Sequence, residues 1–254
     1  MLTRIDLNSD LGEAETPETQ AVEAAMIPRL TSVNIACGGH AGTPDTMRRT
    51  AALAAHHGVM IGAHPGLPDR EGWGRVERAV TADEVCQVVA DQLRVVAQVV
   101  AVEGTRLAHA KPHGALYNMA ARDPRIAQAV VRGIQAFGDP LRVVALAGSA
   151  LVAAAREAGL PVVQEAFVDR AYRADGRLVP RSEPGALVEG EAAVRRRIRD
   201  LLAGTVISVD GTPLPIRADS VCLHSDTPQA LRLADVVRDE LASAGVRIAA
   251  VSAA

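Results

Sequence analysis

The sequence predicts an α/β barrel of parallel strands, and three observations support that prediction. Short apolar runs alternate with longer helical patterns from one end of the 254-residue chain to the other. About eight such runs in a chain of this length favour a closed, TIM-like barrel over an open sheet. Polar side chains collect where the strands end, which is where ligands bind in parallel α/β folds.

The predicted strands are short apolar runs bounded by glycine, proline and small polar residues. Helical segments separate them, so consecutive strands are expected to run parallel through right-handed crossovers. The whole chain, residues 1–254, is predicted to form one (β/α)-barrel domain. Its strands are predicted at residues 3–8, 31–37, 59–63, 106–111, 142–147, 161–167, 220–224 and 246–250.

The predicted helices are recognised by the residues at their ends. Three begin at a capping residue followed by proline at the first helical position, and a fourth begins with a capping box. Glycine follows the end of each, as is common at helix C-termini. The start and stop signals are Thr43-Pro44 with Gly58, Thr81 to Glu84 with Gly104, Asp123-Pro124 with Gly138, and Thr227-Pro228 with Gly245.

Two segments interrupt the alternation of strands and helices. Residues 205–217 hold two apolar runs on either side of Asp210-Gly211. Because Asp-Gly is typical of hairpin turns, we predict a hairpin that leaves the barrel there. Residues 169–190 are rich in arginine, proline and glycine and are predicted to form a long loop. Loops of this length in compact domains are usually functional or disordered.

The composition argues against several classes of protein. Apolar residues make up 48% of the chain but aromatic residues only 2%, so a large core must be built from aliphatic side chains. The net charge of −3 argues against nucleic-acid binding. There is no apolar run of about 20 residues and no signal-peptide pattern, so we expect no membrane partner and a cytoplasmic location. The three cysteines lack CxxC spacing, which argues against a disulfide framework.

The first strand carries a row of polar residues. Asp6, Asn8 and Asp10 recur with a period of two, so all three project to one side of the strand. Burying carboxylates is costly unless each is paired, so packing alone does not explain them. We predict that the three are catalytic residues lining the barrel toward its mouth, with Glu13 beyond them as a substrate-binding residue. The alternative for Asp10 and Glu13 is a capping or turn role.

Further polar residues follow the ends of other predicted strands. Four of the seven histidines lie there, and this concentration favours function over packing. The predicted catalytic residues at these ends are His40, His64, Lys111 and His113. The predicted substrate-binding residues are Gly38, where the backbone can approach a ligand closely, and Tyr117, Glu165, Arg170 and His224.

Motifs of several enzyme classes are missing from the sequence. It has no HExxH, GxSxG, GxGxxG or P-loop lysine motif, so protease, serine-hydrolase, nicotinamide and standard nucleotide-hydrolysing activities lack support. Asp10, His40 and His64 are chemically suited to a divalent metal ion. A metal-dependent deacetylase or amidohydrolase is therefore one alternative function, and a non-catalytic regulatory subunit is another.

Six motifs, in order along the chain, resemble those of the LamB/YcsF family. They are DLNSDLGE, NIACGGHAG, GAHPGLPD, KPHGALYN, EAFVDRAY with LVPRSEPGA, and CLHSD. The resemblance spans essentially the whole chain. It implies a (β/α) barrel related to that of polysaccharide deacetylases, and the role of the A subunit in a bacterial ATP-dependent 5-oxoprolinase.

The resemblance also implies an activity, a cofactor and partners. The activity is cleavage of the cyclic amide 5-oxo-L-proline to L-glutamate, coupled to hydrolysis of ATP, with Mg²⁺ expected to accompany the nucleotide. The partners are 5-oxoprolinase subunits B and C. The chain departs from the family pattern at Gly39, where an aromatic residue is usual, at Thr43 and at Ser225. Gly39 is expected to widen the pocket or to change how a substrate ring is packed.

The predicted residues suit activation of the lactam by ATP. Phosphorylation of the lactam oxygen would make the carbonyl carbon a better target for water. Lys111 and Arg170 would act as charge clamps. Asp10 or Asp6 would act as the base, and one of the strand-end histidines as the acid or oxyanion donor. Because no familiar nucleotide motif is present, we expect ATP to bind in an unconventional site or with the help of the partner subunits.

Overall fold

The chain folds as a barrel of parallel strands with helices outside it, which confirms the predicted fold class. The computed structural model describes residues 2–251. Its strands are β1 (Arg4–Leu11), β2 (Ser32–Ala36), β3 (Met60–His64), β4 (His109–Ala110), β5 (Arg142–Leu146), β6 (Val162–Phe167), β7 (Thr205–Ile207), β8 (Pro213–Pro215), β9 (Ser220–Cys222) and β10 (Arg247–Ile248). Its helices are α1 (Pro17–Met26), α2 (Pro44–His56), α3 (Ala82–Val102), α4 (Gly114–Arg122), α5 (Pro124–Phe137), α6 (Ala150–Glu157), α7 (Glu191–Leu202) and α8 (Ala230–Ser243), with a 3₁₀ turn at Ile27–Arg29.

Seven strands, not eight, close the barrel. Their order is β1-β2-β3-β4-β5-β6-β9, and β9 pairs with β1 to complete the ring. The last predicted strand, β10, pairs only with Arg4 and Ile5 at the beginning of β1. Beyond Ile5 that edge of β1 is occupied by Thr31 and β2, while β9 pairs with the opposite edge from Asp6 onward. Strand β10 therefore extends the sheet below the ring without entering it.

Strand β1 is longer than predicted and reaches into the barrel mouth. It continues beyond residue 8 because Asn8 to Leu11 pair in register with Ser32 to Ile35 of β2. The predicted alternation holds, since Asp6 and Asn8 both contact the side chain of Ser220. The extra length carries Asp10 to the upper end of the strand, above Asp6 and Asn8.

The barrel interior holds polar as well as aliphatic side chains. His109 of β4 points inward, and its Nε2 lies 2.7 Å from the side-chain oxygen of Asn34. Gly62 of β3 makes this orientation possible, because a Cβ at that position would come within 2.1 Å of the His109 ring. Burial lowers the pKa of His109 to about 3, so the imidazole is neutral near pH 7.

Three of the four predicted helix starts lie where the capping residues placed them. Thr43 and Thr81 form capping boxes for α2 and α3, and Asp123 accepts a hydrogen bond from the first turn of α5. Helix α8 differs, because it begins at Ala230 instead of directly after Thr227. The Thr227 hydroxyl instead donates to Asp169 at 2.7 Å, and no side chain in the described part of the chain caps the start of α8.

The two segments that interrupt the strand–helix alternation differ in structure: one is a hairpin and the other is a long loop. Residues 205–217 form an antiparallel hairpin, β7 with β8, which turns at Asp210-Gly211. Residues 169–190 have neither helix nor extended strand, and isolated bridges join Arg170 to Leu187 and Tyr172 to Leu178. This long loop covers part of the barrel mouth.

Helix α3 is long and apolar enough to cross a membrane, judged by its length and composition alone. In the folded chain one side of it is buried, including Val85, Val89, Leu93, Val96 and Val100, and it packs against α5 and α2. Packing between the outer helices therefore accounts for its apolar stripe.

Candidate active site

A cavity of about 980 Å³ opens at the carboxyl-terminal mouth of the barrel. Its volume is at the upper end of the range of roughly 300–1,000 Å³ that is usual for small-molecule sites. Eight of the residues predicted from the sequence line it, namely Asp10, Glu13, His64, Lys111, His113, Tyr117, Arg170 and His224. Polar residues predicted at the ends of different strands therefore line a single cavity.

Asp10 is held from two sides. Its Oδ1 accepts hydrogen bonds from Asn34 Nδ2 at 2.8 Å and from Lys111 Nζ at 3.0 Å. Its Oδ2 lies 3.2 Å from His64 Nε2 and 3.5 Å from His224 Nε2. Burial acts to raise the pKa of Asp10, but its interactions with His64 and Lys111 outweigh it and hold the pKa well below its usual range.

Lys111 is the only lysine in the sequence, and it is almost completely buried. Its ammonium lies 3.0 Å from Asp10 Oδ1, 3.0 Å from Glu165 Oε2 and 3.3 Å from Cys222 Sγ. Burial acts to lower the pKa of Lys111, but Asp10, Cys222 and Glu165 together raise it well above its ordinary value. Lys111 is therefore a fixed cation between two carboxylates.

Asp6 and Asn8 lie deeper in the barrel than Asp10 and do not line the cavity. The Asp6 carboxylate accepts hydrogen bonds from the hydroxyls of Thr31, Ser32 and Ser220. Burial raises the pKa of Asp6 despite these bonds. Asn8 receives a hydrogen bond from Lys111 at 3.3 Å. Of the three strand β1 residues, only Asp10 is placed to meet a ligand, and catalytic roles for the other two stay predictions.

Three histidines and one carboxylate form a cluster beside the cavity, which we call the histidine cluster. Its members are Glu13, His40, His64 and His113. His64 Nε2 lies 2.9 Å from His113 Nδ1, and the outer nitrogens face the backbone oxygens of Lys111 at 2.7 Å and Trp73 at 2.8 Å, respectively. The His40 ring stacks on His113 with 3.6 Å between ring centroids. His40 Nε2 lies 3.0 Å from Glu13 Oε1.

Burial lowers the pKa values of two histidines in this cluster. For His40 it outweighs the nearby charge of Glu13, and for His113 the neighbouring His40 lowers the pKa further. For Glu13, burial acts to raise the pKa, but the hydrogen bond from His40 and the charges of the histidines lower it. His40 itself is buried behind His113 and does not line the cavity.

His224 is oriented by the buried carboxylate of Asp169. Asp169 Oδ2 lies 2.9 Å from His224 Nδ1, and it accepts hydrogen bonds from the His224 backbone at 2.9 Å and the Thr227 hydroxyl at 2.7 Å. Burial acts to raise the pKa of Asp169, but the charge and hydrogen bonds of His224 lower it. The ionised Asp169 therefore favours a proton on Nδ1, which leaves Nε2 free toward Asp10.

The outer part of the cavity is rich in arginine. Seven lysine or arginine side chains and five carboxylates line the whole cavity. Asp226 pairs with Arg75 at 2.9 Å and with Arg181 at 3.0 Å, which ties the loops above the mouth together. Arg170 is buried, and burial with the nearby charge of Arg181 lowers its pKa to about 10, so it stays cationic near pH 7. This rim suits a ligand that carries negative charge.

A phenylalanine and a tyrosine line the middle of the cavity. The Phe167 ring stacks with His224 at 5.6 Å between centroids and meets the Tyr117 ring edge to face at 5.8 Å. The Tyr117 hydroxyl is buried and lies near the Glu165 carboxylate. Burial and the neighbouring Glu165 carboxylate raise the pKa of Tyr117 well above its usual value, so the hydroxyl keeps its proton.

The model of the LamB/YcsF family matches residues 5–254. The chain belongs to the LamB/YcsF family. A family relative from Chloroflexus aggregans (strain MD-66 / DSM 9485), named as the A subunit of 5-oxoprolinase, is 45% identical over 245 residues, which cover 96% of this chain and 97% of the relative. A relative of the same name from Syntrophobacter fumaroxidans (strain DSM 10017 / MPOB) is 43% identical over 251 residues and covers 98% and 99% of the two chains.

A solved structure supports the same LamB/YcsF fold. The crystal structure of the lactam utilization protein from Thermus thermophilus has a TM-score of 0.87 to this chain at 40% sequence identity. The match covers 98% of this chain and 100% of that one. The fold of the chain therefore has a close counterpart in an experimental structure.

The departures from the usual LamB/YcsF pattern have local explanations. Gly39 does not line the cavity, so it does not widen the pocket as expected. A Cβ at Gly39 would come within 2.6 Å of the amide nitrogen of Gln92, which itself donates to the backbone of Gly66 at 2.7 Å. Thr43 caps α2, and Ser225 lines the cavity with its hydroxyl 3.4 Å from the Asp10 backbone oxygen.

Two predicted substrate-binding residues lie away from the cavity lining. Glu165 is fully buried beneath it and pairs with Lys111. Gly38 has a φ of 88°, and its backbone oxygen accepts a hydrogen bond from Arg70 at 3.1 Å. Their substrate-binding roles stay predictions.

Sequence reasoning missed three groups at the site. Asn34 fixes Asp10, Asp169 fixes His224, and the Trp73 backbone oxygen fixes His113. A polar residue inside a predicted strand was the available signal for Asn34, and the EAFVDRAY motif contains Asp169. The role of Trp73 rests on a backbone atom, for which the sequence offers no signal.

Proposed function

We propose that this chain is the lactam-cleaving subunit of an ATP-dependent 5-oxoprolinase, which converts 5-oxo-L-proline to L-glutamate in the cytoplasm. The observation that carries the proposal is the dyad of His224 and Asp169, in which Nε2 of His224 faces Asp10 in the cavity. The relatives that match the chain over almost its whole length are named as the A subunit of 5-oxoprolinase. The dyad supplies a base in a cavity large enough for a small cyclic amide.

The chemistry needs activation before water can attack. In the proposed sequence, the lactam oxygen takes the γ-phosphoryl group of ATP and ADP leaves. Water then adds to the lactam carbon, and the carbon–nitrogen bond breaks as the ring nitrogen accepts a proton. A second water releases phosphate from the resulting acyl phosphate and leaves L-glutamate. If the nitrogen were not protonated, phosphate would leave instead and the lactam would re-form.

The His224–Asp169 dyad is assigned the proton transfers. With Nδ1 held by Asp169, Nε2 takes a proton from the attacking water and can return it to the ring nitrogen. Asp10 lies 3.5 Å from Nε2 and stabilises the imidazolium that forms. This assignment uses His224 where the sequence alone suggested Asp10 or Asp6 as the base.

The substrate is placed between the apolar and cationic parts of the cavity. The flat ring would lie against Phe167 and Tyr117, which line the middle of the cavity. Arg170 and Arg181 on the same wall would bind the substrate carboxylate or the transferred phosphoryl group. Lys111, already enclosed by Asp10 and Glu165, would keep Asp10 in position.

ATP and the partner subunits complete the proposal. The arginine-rich rim supports binding of phosphate groups, although the sequence has no P-loop. We propose that ATP, with its Mg²⁺, reaches this rim when the B and C subunits are bound, and that the isolated chain turns over poorly.

The first experiment measures glutamate and ADP formed from 5-oxo-L-proline and ATP. The chain is assayed alone and mixed with B and C subunits of a bacterial 5-oxoprolinase. Glutamate formation that requires all three proteins and ATP is expected. Steady turnover by the isolated chain would refute the need for partners. Deacetylation of an acetylated sugar without ATP would favour the deacetylase alternative instead.

The second experiment tests the base. His224→Asn keeps a side-chain donor for Asp169 but has no counterpart of Nε2, so kcat should fall by about 10²–10⁴. His57→Asn, at the exposed end of α2, is the matched control and should keep full activity. A folded His224→Asn complex that retains activity would remove His224 from the mechanism, and unchanged output would favour a non-catalytic subunit.

A further inference from the structure

The pair His64 and His113 brings two nitrogen lone pairs face to face. Each outer ring nitrogen points at a backbone oxygen, of Lys111 at 2.7 Å and of Trp73 at 2.8 Å. A carbonyl oxygen only accepts, so both outer nitrogens carry the protons. In the neutral rings the inner nitrogens, His64 Nε2 and His113 Nδ1, are therefore bare at 2.9 Å from one another. Such an arrangement requires a cation that both nitrogens share.

Two carboxylate oxygens extend this pair to a set of four donors. Asp10 Oδ2 lies 3.2 Å from His64 Nε2, and Glu13 Oε1 lies 3.5 Å from His113 Nδ1. Ligands at about 2.0–2.1 Å from a tetrahedral ion are separated by about 3.3–3.4 Å. The three observed separations of 2.9, 3.2 and 3.5 Å are close to that spacing.

The outer contacts of these side chains match those of metal ligands. A metal-bound histidine usually donates its other N–H to a carboxylate or backbone oxygen, which fixes its tautomer. His64 and His113 both do so. Asp10 is likewise held through Oδ1 by Asn34 and Lys111, which leaves Oδ2 for an ion.

His40 belongs to the same cluster but lies outside this set of four. The nearest donor atoms of Glu13, His40, His64 and His113 all lie within 4.8 Å of one another. However, the His40 and His113 rings are stacked 3.6 Å apart with their planes within 3° of parallel. Two such rings cannot both direct an in-plane lone pair at one ion. His40 Nε2 instead lies 3.0 Å from Glu13 Oε1 and orients that carboxylate.

We propose that Asp10, Glu13, His64 and His113 bind one divalent transition-metal ion of the zinc class. Two imidazoles and two carboxylates suit Zn²⁺ and its neighbours in the first transition row better than Mg²⁺, which prefers oxygen ligands and keeps its waters. The ion replaces the shared cation that the two bare nitrogens require. The site does not depend on the proposed function, because binding can be measured without substrate, ATP or partner subunits.

The test is direct binding of Zn²⁺ to the full chain after dialysis against a chelator. One equivalent per chain is expected from elemental analysis, and Co²⁺ in its place should give the visible absorption of a four-coordinate ion. His113→Gln and His64→Gln should each lower the affinity by more than the roughly 10–100-fold that changes outside the first ligand shell cost. His57→Gln, an exposed histidine, is the control and should bind Zn²⁺ like the unmodified chain.

His40→Gln separates the proposed ligand set from the alternative set in which His40 binds the ion with Glu13, His64 and His113. Because His40 only orients Glu13, its replacement should lower the affinity by roughly 10–100-fold and leave the Co²⁺ spectrum four-coordinate. A loss as large as that of His113→Gln would overturn the assignment. Circular dichroism and the rise of the unfolding temperature with Zn²⁺ show whether each variant is folded. If a histidine variant fails to fold, Glu13→Gln tests the ligand set in its place. No stoichiometric binding, or binding that survives loss of both His64 and His113, would overturn the proposal.

Discussion

Replacing Lys111 by methionine removes the charge at the centre of the site while keeping a side chain of similar length. The ammonium lies 3.0 Å from both Asp10 Oδ1 and Glu165 Oε2, and all three groups are buried. Coulomb attraction at that distance is about 5.5 kcal/mol per pair at an effective dielectric constant of about 20. The cost of removing the charges from water offsets part of it, and deleting one partner of a buried pair costs about 3–5 kcal/mol. We expect Lys111→Met to lower the free energy of unfolding by that amount.

Glu165→Gln completes a double-mutant cycle around Lys111. Lys111→Met alone leaves Asp10 and Glu165 without the ammonium that both contact, and adding Glu165→Gln neutralises one of the two carboxylates. The double variant should therefore be more stable than Lys111→Met alone. The coupling energy is expected at about 0.5–3 kcal/mol, the range for residues in direct contact.

Urea unfolding followed by far-ultraviolet circular dichroism measures all four corners of this cycle. Arg106→Met removes a cation from an exposed position and should change the stability by less than about 0.5 kcal/mol. A loss below about 1 kcal/mol for Lys111→Met, or a coupling energy of zero, would show that the ammonium does not compensate the two buried carboxylates.

Three further predictions follow from buried groups. Burial lowers the pKa of His109 to about 3, so His109 stays neutral in the folded chain, while the unfolded chain gains a proton on this residue below about pH 6.5. The free energy of unfolding should therefore fall with decreasing pH, by about 2 kcal/mol at pH 5 from this group. Urea unfolding of His109→Gln at several pH values should lack that part of the pH dependence. Gly62→Ala would place a Cβ 2.1 Å from the His109 ring, so the unfolding free energy should drop by about 1–3 kcal/mol, and an unchanged value would contradict the close contact. Asp169→Asn frees the tautomer of His224, so kcat for glutamate formation should fall about 100-fold or more with little change in KM, whereas equal changes in both would indicate a binding role.

The strand ends were predictable because two simple rules apply to them. Side chains alternate along a strand, so Asp6, Asn8 and Asp10 had to share a side. The carboxyl ends of parallel strands meet at one mouth, so His64 and His224 had to come near each other although they are far apart in sequence. Both rules depend on local periodicity, which the sequence contains in full.

The depth of each side chain in the barrel, and the partner with which each strand or side chain pairs, could not be predicted from the sequence in the same way. Whether Asp6 or Asp10 reaches the cavity depends on the register of β1 against β2 and β9, which is set by closure of the ring. The exclusion of β10 has the same origin, because β2 and β9 occupy the two edges of β1 beyond Ile5. Thr227 was expected to cap a helix, but its hydroxyl donates to Asp169, which is distant in the sequence, and the helix begins at Ala230.

The single buried lysine makes the chain its own chemical reporter. Reagents that acylate side-chain amines have only one lysine to attack, and in the folded protein the Lys111 ammonium is enclosed by carboxylates and a thiol. Modification of Lys111 would therefore proceed only when the barrel opens. Its rate under native conditions measures how often the core of the site becomes accessible, with no engineered label and no competing lysine.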